Sequence, residues 1–466
     1  MTFNNWKELC IGGNKLKRLV RVSDGLVLFE LPSGPDYSEP FWIKGDGSSA
    51  FTSRCYLISE IDPSTLPTIY RSTDKKNWTP ISWDYDGYTW NHMMKSTPSV
   101  EKFYYMRDSE VPIGFATDAR IKISSPYKGY KAPHLIIGGN INSLLCKNFA
   151  DLKDISGLDN CFGEAIIAES IVNADALLLP AESIGLSCYN ELVYQFDATL
   201  TSFGVEVPVE NIPNYGCYRM LYNSKKLVNG PKFPNLKSIG NYGLADAFRG
   251  CNSLSSVELP STPISVGLRG FSYAFSGSGI KAVENLSLSG IGQYGCKEMF
   301  LSCTDLEKVD GLSAESLSAS ALEGMFSNCS SLTSVQDLYI DNSKNANKKT
   351  GVSRCDGMFQ NCNSLLSVGG MIKGVYGQYA LRNVFRNCKA LKDASKLSVE
   401  VNYGNRYAQS MFENCSELES MPVLLSGENG TGVQKCIYMF RNCTKLKNVN
   451  PLPYVRPYTG MYARMF

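Results

Sequence analysis

The chain has 466 residues, of which 43% are hydrophobic and 19% charged, with a formal net charge of +2. That length allows two or three domains, and the near-neutral balance gives no reason to expect nucleic acid or an anionic membrane as the main partner. No apolar run reaches the ~18 residues of a membrane-crossing helix, so membrane insertion is not expected.

The opening stretch, MTFNNWKELCIGGNKLKRLVRV, lacks the apolar core of a secretory signal. Leu19-Val20-Arg21-Val22, Ser23-Asp24-Gly25 and Leu26-Val27-Leu28-Phe29 then read as a β-hairpin closed by Asp-Gly. Pro32-Ser33-Gly34-Pro35 and Glu39-Pro40 are turn or linker signals that set residues 1–40 apart. From 41 to 136, short apolar and aromatic runs alternate with turn residues: CYLISEI (55–61), TIYRS (68–72), WTPISW (78–83), FYYMR (103–107), RIKIS (120–124) and HLIIGG (134–139). This pattern predicts a small all-β domain, a sandwich or barrel. All five tryptophans lie at or before Trp90, namely Trp6, Trp42, Trp78, Trp83 and Trp90. Such clustered aromatics read as core and interface first, and as a sugar-binding surface second.

From about residue 137 one phrase keeps returning, Met-Phe-x-Asn-Cys-x-x-Leu-x-x-Val, as in MFSNCSSLTSV (325–335) and MFRNCTKLKNV (439–449). Its aromatic falls at Phe248, Phe275, Phe300, Phe326, Phe359, Phe385, Phe412, Phe440 and Phe466, with degenerate copies at Leu221 and near Leu192. Self-similarity at a ~26-residue period marks a solenoid whose units bury their apolar faces only by stacking. The Leu-x-x-Val pair belongs to a short strand. The Phe and the Cys three residues later are spaced like one face of a short helical turn. The predicted fold is therefore a leucine-rich-repeat-like solenoid, with a short strand and a short helical turn per repeat, after an all-β N-terminal domain. At one strand per repeat and ~4.8 Å spacing, ten repeats make a rod about 50 Å long.

The repeat also accounts for most of the sixteen cysteines. Cys251, Cys303, Cys329, Cys362, Cys388, Cys415 and Cys443 sit three after the anchor, and Cys188, Cys217, Cys296, Cys355 and Cys436 four before it. Seven helical residues span ~10 Å, beyond the reach of a disulfide, so a reduced, buried ladder is expected. Catalytic patterns are missing: His92 and His134 lie in separate segments, and no Walker loop, HExxH, GxSxG or paired CxxC occurs. No enzyme, cofactor or metal site is expected.

Tyrosines recur six before the anchor at Tyr215, Tyr242, Tyr294 and Tyr379, and nearby at Tyr403, Tyr407, Tyr458 and Tyr462. On one face they would form an aromatic strip for sugar rings or protein partners, or else pack against the next repeat. The long 326–359 unit holds an insertion, DNSKNANKKTGVSR (341–354), whose Lys348 and Lys349 are candidate contacts, as is the rest of its basic group, Lys344 and Arg354. A solvated insertion is the other reading.

FPNLKSIGNYGLADAFRGCNSLSSVELP (233–260) resembles the BspA-like class of leucine-rich repeats, found in bacterial surface proteins and bacteriophage tail and fibre proteins. LLLPAESIGLSCYNEL (177–192) and IPNYGCYRML (212–221) resemble a variant common in gut Bacteroidetes and their phages. YRSTDKKNWTPI (70–81), KFYYMRD (102–108) and GGNINSLL (138–145) resemble the module that precedes such repeats, and residues 21–30 resemble the start of structural proteins of that group, crAss-like phages included. Phe275, followed by Ser278 in place of Cys, and the long 326–359 unit depart from the pattern.

The resemblance implies a phage virion protein, a tail fibre or receptor-binding appendage assembled in the host cytoplasm. Other virion proteins would hold its N-terminal part through Trp6, Leu19, Val20, Val22 and Phe29. A host surface glycan or protein would meet the solenoid, 137–466, and the protein would be a homo-oligomer. The missing signal favours this over a secreted adhesin. A last repeat that stops at Met465-Phe466 without a polar cap leads to the expectation that the natural chain continues. A head-fibre or decoration protein and a bacterial surface adhesin are the alternatives.

Overall fold

The computed structural model describes residues 10–11, 14–15, 18–20, 27–30, 36–47, 55–95, 100–116, 121–124, 134–167, 171–194, 199–343, 354–375, 377–401, 406–426, 436–451 and 465–466. The hairpin expected near the start is present in the backbone, where Arg18–Val20 pairs antiparallel with Val27–Glu30 and Leu19 faces Phe29.

Two six-stranded sheets build the N-terminal part. One runs, edge to edge, Asp84–Tyr85, Trp90–Lys95, Cys55–Ser59, Ile121–Ser124, Ile166–Ile167 and Val193–Tyr194. The other runs Thr79–Pro80, Ile69–Ser72, Phe103–Arg107, Trp42–Gly45, Leu135–Asn140 and Ile171–Leu178. Period-two alternation turns Leu57, Met94 and Ile123 of the first sheet and Ile43, Tyr105 and Ile137 of the second into one core. The Tyr105 hydroxyl, buried where water cannot reach it, donates to the Met94 carbonyl at 3.0 Å and ties the sheets together.

Both sheets change from antiparallel to parallel partway across. Ile121–Ser124 is antiparallel to Cys55–Ser59 but parallel to Ile166–Ile167. Leu135–Asn140 is antiparallel to Trp42–Gly45 but parallel to Ile171–Leu178. The sheets of the first part thus run on as walls of the first solenoid turns. The expected boundary at 136/137 falls inside strand Leu135–Asn140.

Beyond it, short parallel strands stack in register: Ser238–Ile239, Ile264–Val266, Ser287–Ser289, Ser313–Glu315, Ser334–Asp341, Ser367–Lys373, Asp393–Val401 and Val423–Ser426. Val309, Val335 and Val368 meet across three of these turns, as the Leu-x-x-Val spacing requires. The anchor rings form one column from Phe248 to Phe466, neighbouring centroids lying 5.0–5.8 Å apart in stacked pairs.

The expected helical turn is corrected. No α-helix occurs among the described residues; the arc around each Phe is a chain of β-turns. Alternate N–H groups bond within the arc, Met325 to Leu322, Ser327 to Gly324 and Cys329 to Phe326. The intervening ones bond to the next turn, Gly324 to Asp356, Phe326 to Met358 and Asn328 to Gln360. Phe and Cys are three apart because they close one β-turn, a spacing that a helical face shares. Every fourth residue of the arc is left-handed, as at Tyr294, Glu298 and Ser302. A helix cannot hold such residues.

Candidate functional site

The cysteine ladder belongs to the core. Each thiol three after the anchor donates to the carbonyl of the preceding turn's anchor: Cys329 to Phe300 at 3.2 Å, Cys388 to Phe359 at 3.2 Å, Cys415 to Phe385 at 3.1 Å. Burial pushes the Cys251 and Cys355 thiols from 9.0 up to about 12 and Cys303 up to about 11. Such thiols are poor nucleophiles. Ser278 fits the same column, its hydroxyl 3.5 Å from the Cys303 sulfur.

The arc's outer face carries the tyrosines, but not as a continuous strip. Tyr215 and Tyr242 stack at 4.9 Å, after which Arg269 interrupts the column and covers Tyr294 at 4.8 Å. Tyr379 is half-buried under the Arg382 guanidinium, 4.6 Å from the ring centre. Tyr407 is wholly buried, its hydroxyl donating to the Glu400 carbonyl at 3.0 Å, so it offers no face to a ligand. Ion pairs cross this face between turns: Arg219 with Glu191 at 3.3 Å, Lys297 with Glu323 at 2.9 Å, Arg386 with Glu413 at 3.2 Å, and Arg382 with Asp356. The face neutralises itself.

Tyr403, Tyr458, Tyr462, Lys348, Lys349, Trp6 and Val22 lie outside the described residues, as do the side chains of Leu19, Val20 and Phe29. Arg354, expected on the inserted loop, is instead buried and donates to the Leu317 carbonyl. In the sandwich Trp42 is buried, while Trp78, Trp83 and Trp90 are half-buried. The two histidines are apart in use as in sequence. His92 is buried, its Nδ1 donating to the Ser82 carbonyl at 2.9 Å and its basicity lowered by burial, whereas His134 pairs with Asp46 at 3.0 Å. Among the described residues no three His, Cys, Asp or Glu gather as metal ligands, and no helix is long and apolar enough to cross a membrane.

A polar groove runs along the other shoulder of the arc. One wall is the residue two after the anchor, Asn361, Asn387, Asn414 and Asn442, a column that Asn328 extends beyond the groove, all left-handed with φ between 61° and 65°. Asparagine tolerates that conformation. The same place holds Gly250 and Gly277 in earlier turns, where φ is 74° and 67°. The amides form a ladder, each Nδ2 donating to the Oδ1 of the turn before at 2.7–2.8 Å. The other wall is Asn363, Lys389, Ser416 and Thr444, enclosing about 610 Å³. The recurring Asn-Cys dipeptide was its only signal in the sequence.

Residues 210–365 match the family described as the BspA type leucine rich repeat region, in six copies. This stretch is a BspA-type leucine-rich repeat region. No curated protein matches the chain. A solved leucine-rich repeat protein from Eubacterium ventriosum is similar over 54% of this chain and 79% of its own, with 13% identity and a TM-score of 0.20.

Proposed function

We propose that this protein is a non-catalytic recognition rod of a bacteriophage particle, a tail fibre or receptor-binding appendage held by its N-terminal part. In this reading the solenoid meets a glycan or protein on the host surface. The observation that supports it is the stack itself, whose turns follow one another at the 5.0–5.8 Å spacing of the anchor rings and carry the same left-handed asparagine in five turns, Asn328 to Asn442. A surface of this kind suits an extended, repetitive partner and gains strength from many weak contacts. The phage assignment rests on the resemblance of residues 21–30 and 70–145 to structural proteins of that group.

The test is saturable binding of the labelled full chain to intact gut Bacteroidetes cells, beside immunogold labelling of phage particles. Binding with label at tail tips supports the reading. Label over the capsid without cell binding moves the assignment to a head-fibre or decoration protein. Absence of both cell binding and particle label rejects the virion reading.

A further inference from the structure

We infer that the asparagine-ladder groove between Asn361 and Asn442 is a binding site for a neutral, extended polysaccharide, one sugar per solenoid turn. The inference deepens the recognition-rod reading and rests on it. A carboxamide has two N–H donors and two acceptor lone pairs. At the inner rungs, Asn361, Asn387 and Asn414, the ladder uses one of each. Each rung therefore keeps one donor and one acceptor, and these side chains line the groove. Paired donors and acceptors at fixed spacing match vicinal hydroxyls, which also donate and accept.

Spacing and charge choose the polymer. Consecutive turns advance by 5.0, 5.3, 5.2 and 5.5 Å over the ladder. An extended β-1,4-linked pyranose chain advances by nearly the same distance per sugar with each ring turned over from the last, so one sugar falls at each rung from Asn361 to Asn442 and alternate sugars present the same edge. An extended peptide advances only ~3.3 Å per residue and drifts out of register. The lining holds one cation, Lys389, and no carboxylate, which gives a polyanion no row of charges to follow. The far wall adds the hydroxyls of Ser416 and Thr444 and the amide of Asn363. The amides are already locked to one another, so little side-chain freedom is lost on binding.

The experiment titrates the full chain with neutral β-1,4 oligosaccharides of increasing length from the gluco, manno, xylo and chito series. One series should bind with affinity that rises with length and levels off near four units, the number of rungs that line the groove: Asn361, Asn387, Asn414 and Asn442. Asn387→Gly with Asn414→Gly should weaken the longest ligand by about tenfold or more. Glycine already occupies this place at Gly250 and Gly277, so the turns should keep their shape. Asn363→Ala with Lys389→Ala, on the exposed far wall, should weaken the same ligand with an unchanged Tm. Absence of binding in all four series, or affinities unmoved by both pairs, overturns the groove. Cell binding by the same chain, measured alongside, then tells failure of this site from failure of the recognition reading.

Discussion

At the scale of single residues, the thiol column links chemistry to stability most directly. A buried thiol of raised pKa keeps its proton where an unfolded one, near 9, has lost it. The folded state then holds more protons, and stability falls as pH rises. For Cys251 and Cys355 this contribution is complete below pH 9 and is lost between 9 and about 12, at about 1.4 kcal/mol per pH unit for each thiol. Urea midpoints should be level near neutrality and drop above pH 9, with a shallower drop in Cys251→Ser. The same column separates size from hydrogen bonding. Cys388→Ser keeps a donor for the Phe359 carbonyl and has the precedent of Ser278, so it should cost no more than about 1 kcal/mol. Cys388→Ala removes that bond, leaves the carbonyl only the Cys362 N–H and opens a sulfur-sized gap, so it should cost about 1–3 kcal/mol. Equal losses in the two variants would mean the thiol only fills space.

At the scale of the element, the arc shows why one part of the repeat was legible and another was not. Leu332, Val335, Leu365 and Val368 read as strand-side core because apolar residues at that place bury in the central turns, although Val449 of a later repeat is exposed. Phe326 and Cys329 read as a helical face because a spacing of three fits both a helix and a closed β-turn. Backbone sign decides between them, and residue type reveals sign only where Gly or Asn recurs, as at Gly250, Gly277 and Asn328. Tyr242, Glu298 and Arg406 are left-handed without any such mark. The groove was hidden for the same reason, since the Asn column makes a ladder only if all its members share that conformation. This gives a direct test. Asn414→Gly should change urea stability by a few tenths of a kcal/mol beyond the two lost ladder bonds, whereas Asn414→Val, forced into the left-handed region, should cost about 1–3 kcal/mol more. Matching losses would mean the turn relaxes to another conformation.

At the scale of the whole molecule, stacking and continuity make opposite demands on where the chain tolerates a cut. Within the solenoid each turn touches only its neighbours, so stability is close to a sum over turns. Excising residues 388–414 joins Asn387 to Cys415 and removes one 27-residue period, restoring the same Asn-to-Cys junction. That variant should remain folded with a modestly lower Tm and a groove one rung shorter. A cut at 136/137 looks equally natural in the sequence, because the aromatic-rich stretch ends and the repeats begin there. It divides Leu135–Asn140 and strips away Trp42–Gly45, the antiparallel partner of that strand. It also removes Ile121–Ser124, the parallel partner of Ile166–Ile167. Ile137, Ile141, Ile166 and Ile171, all buried, would then face water beside unpaired strand edges, a template for aggregation. Fragment 137–466 should therefore bind apolar dyes, elute as aggregate and melt well below the full chain, while the internally shortened variant elutes as a compact species. A monomeric fragment with the parent Tm would show instead that the first solenoid turns close their own core, and that the sandwich rests against them without capping them.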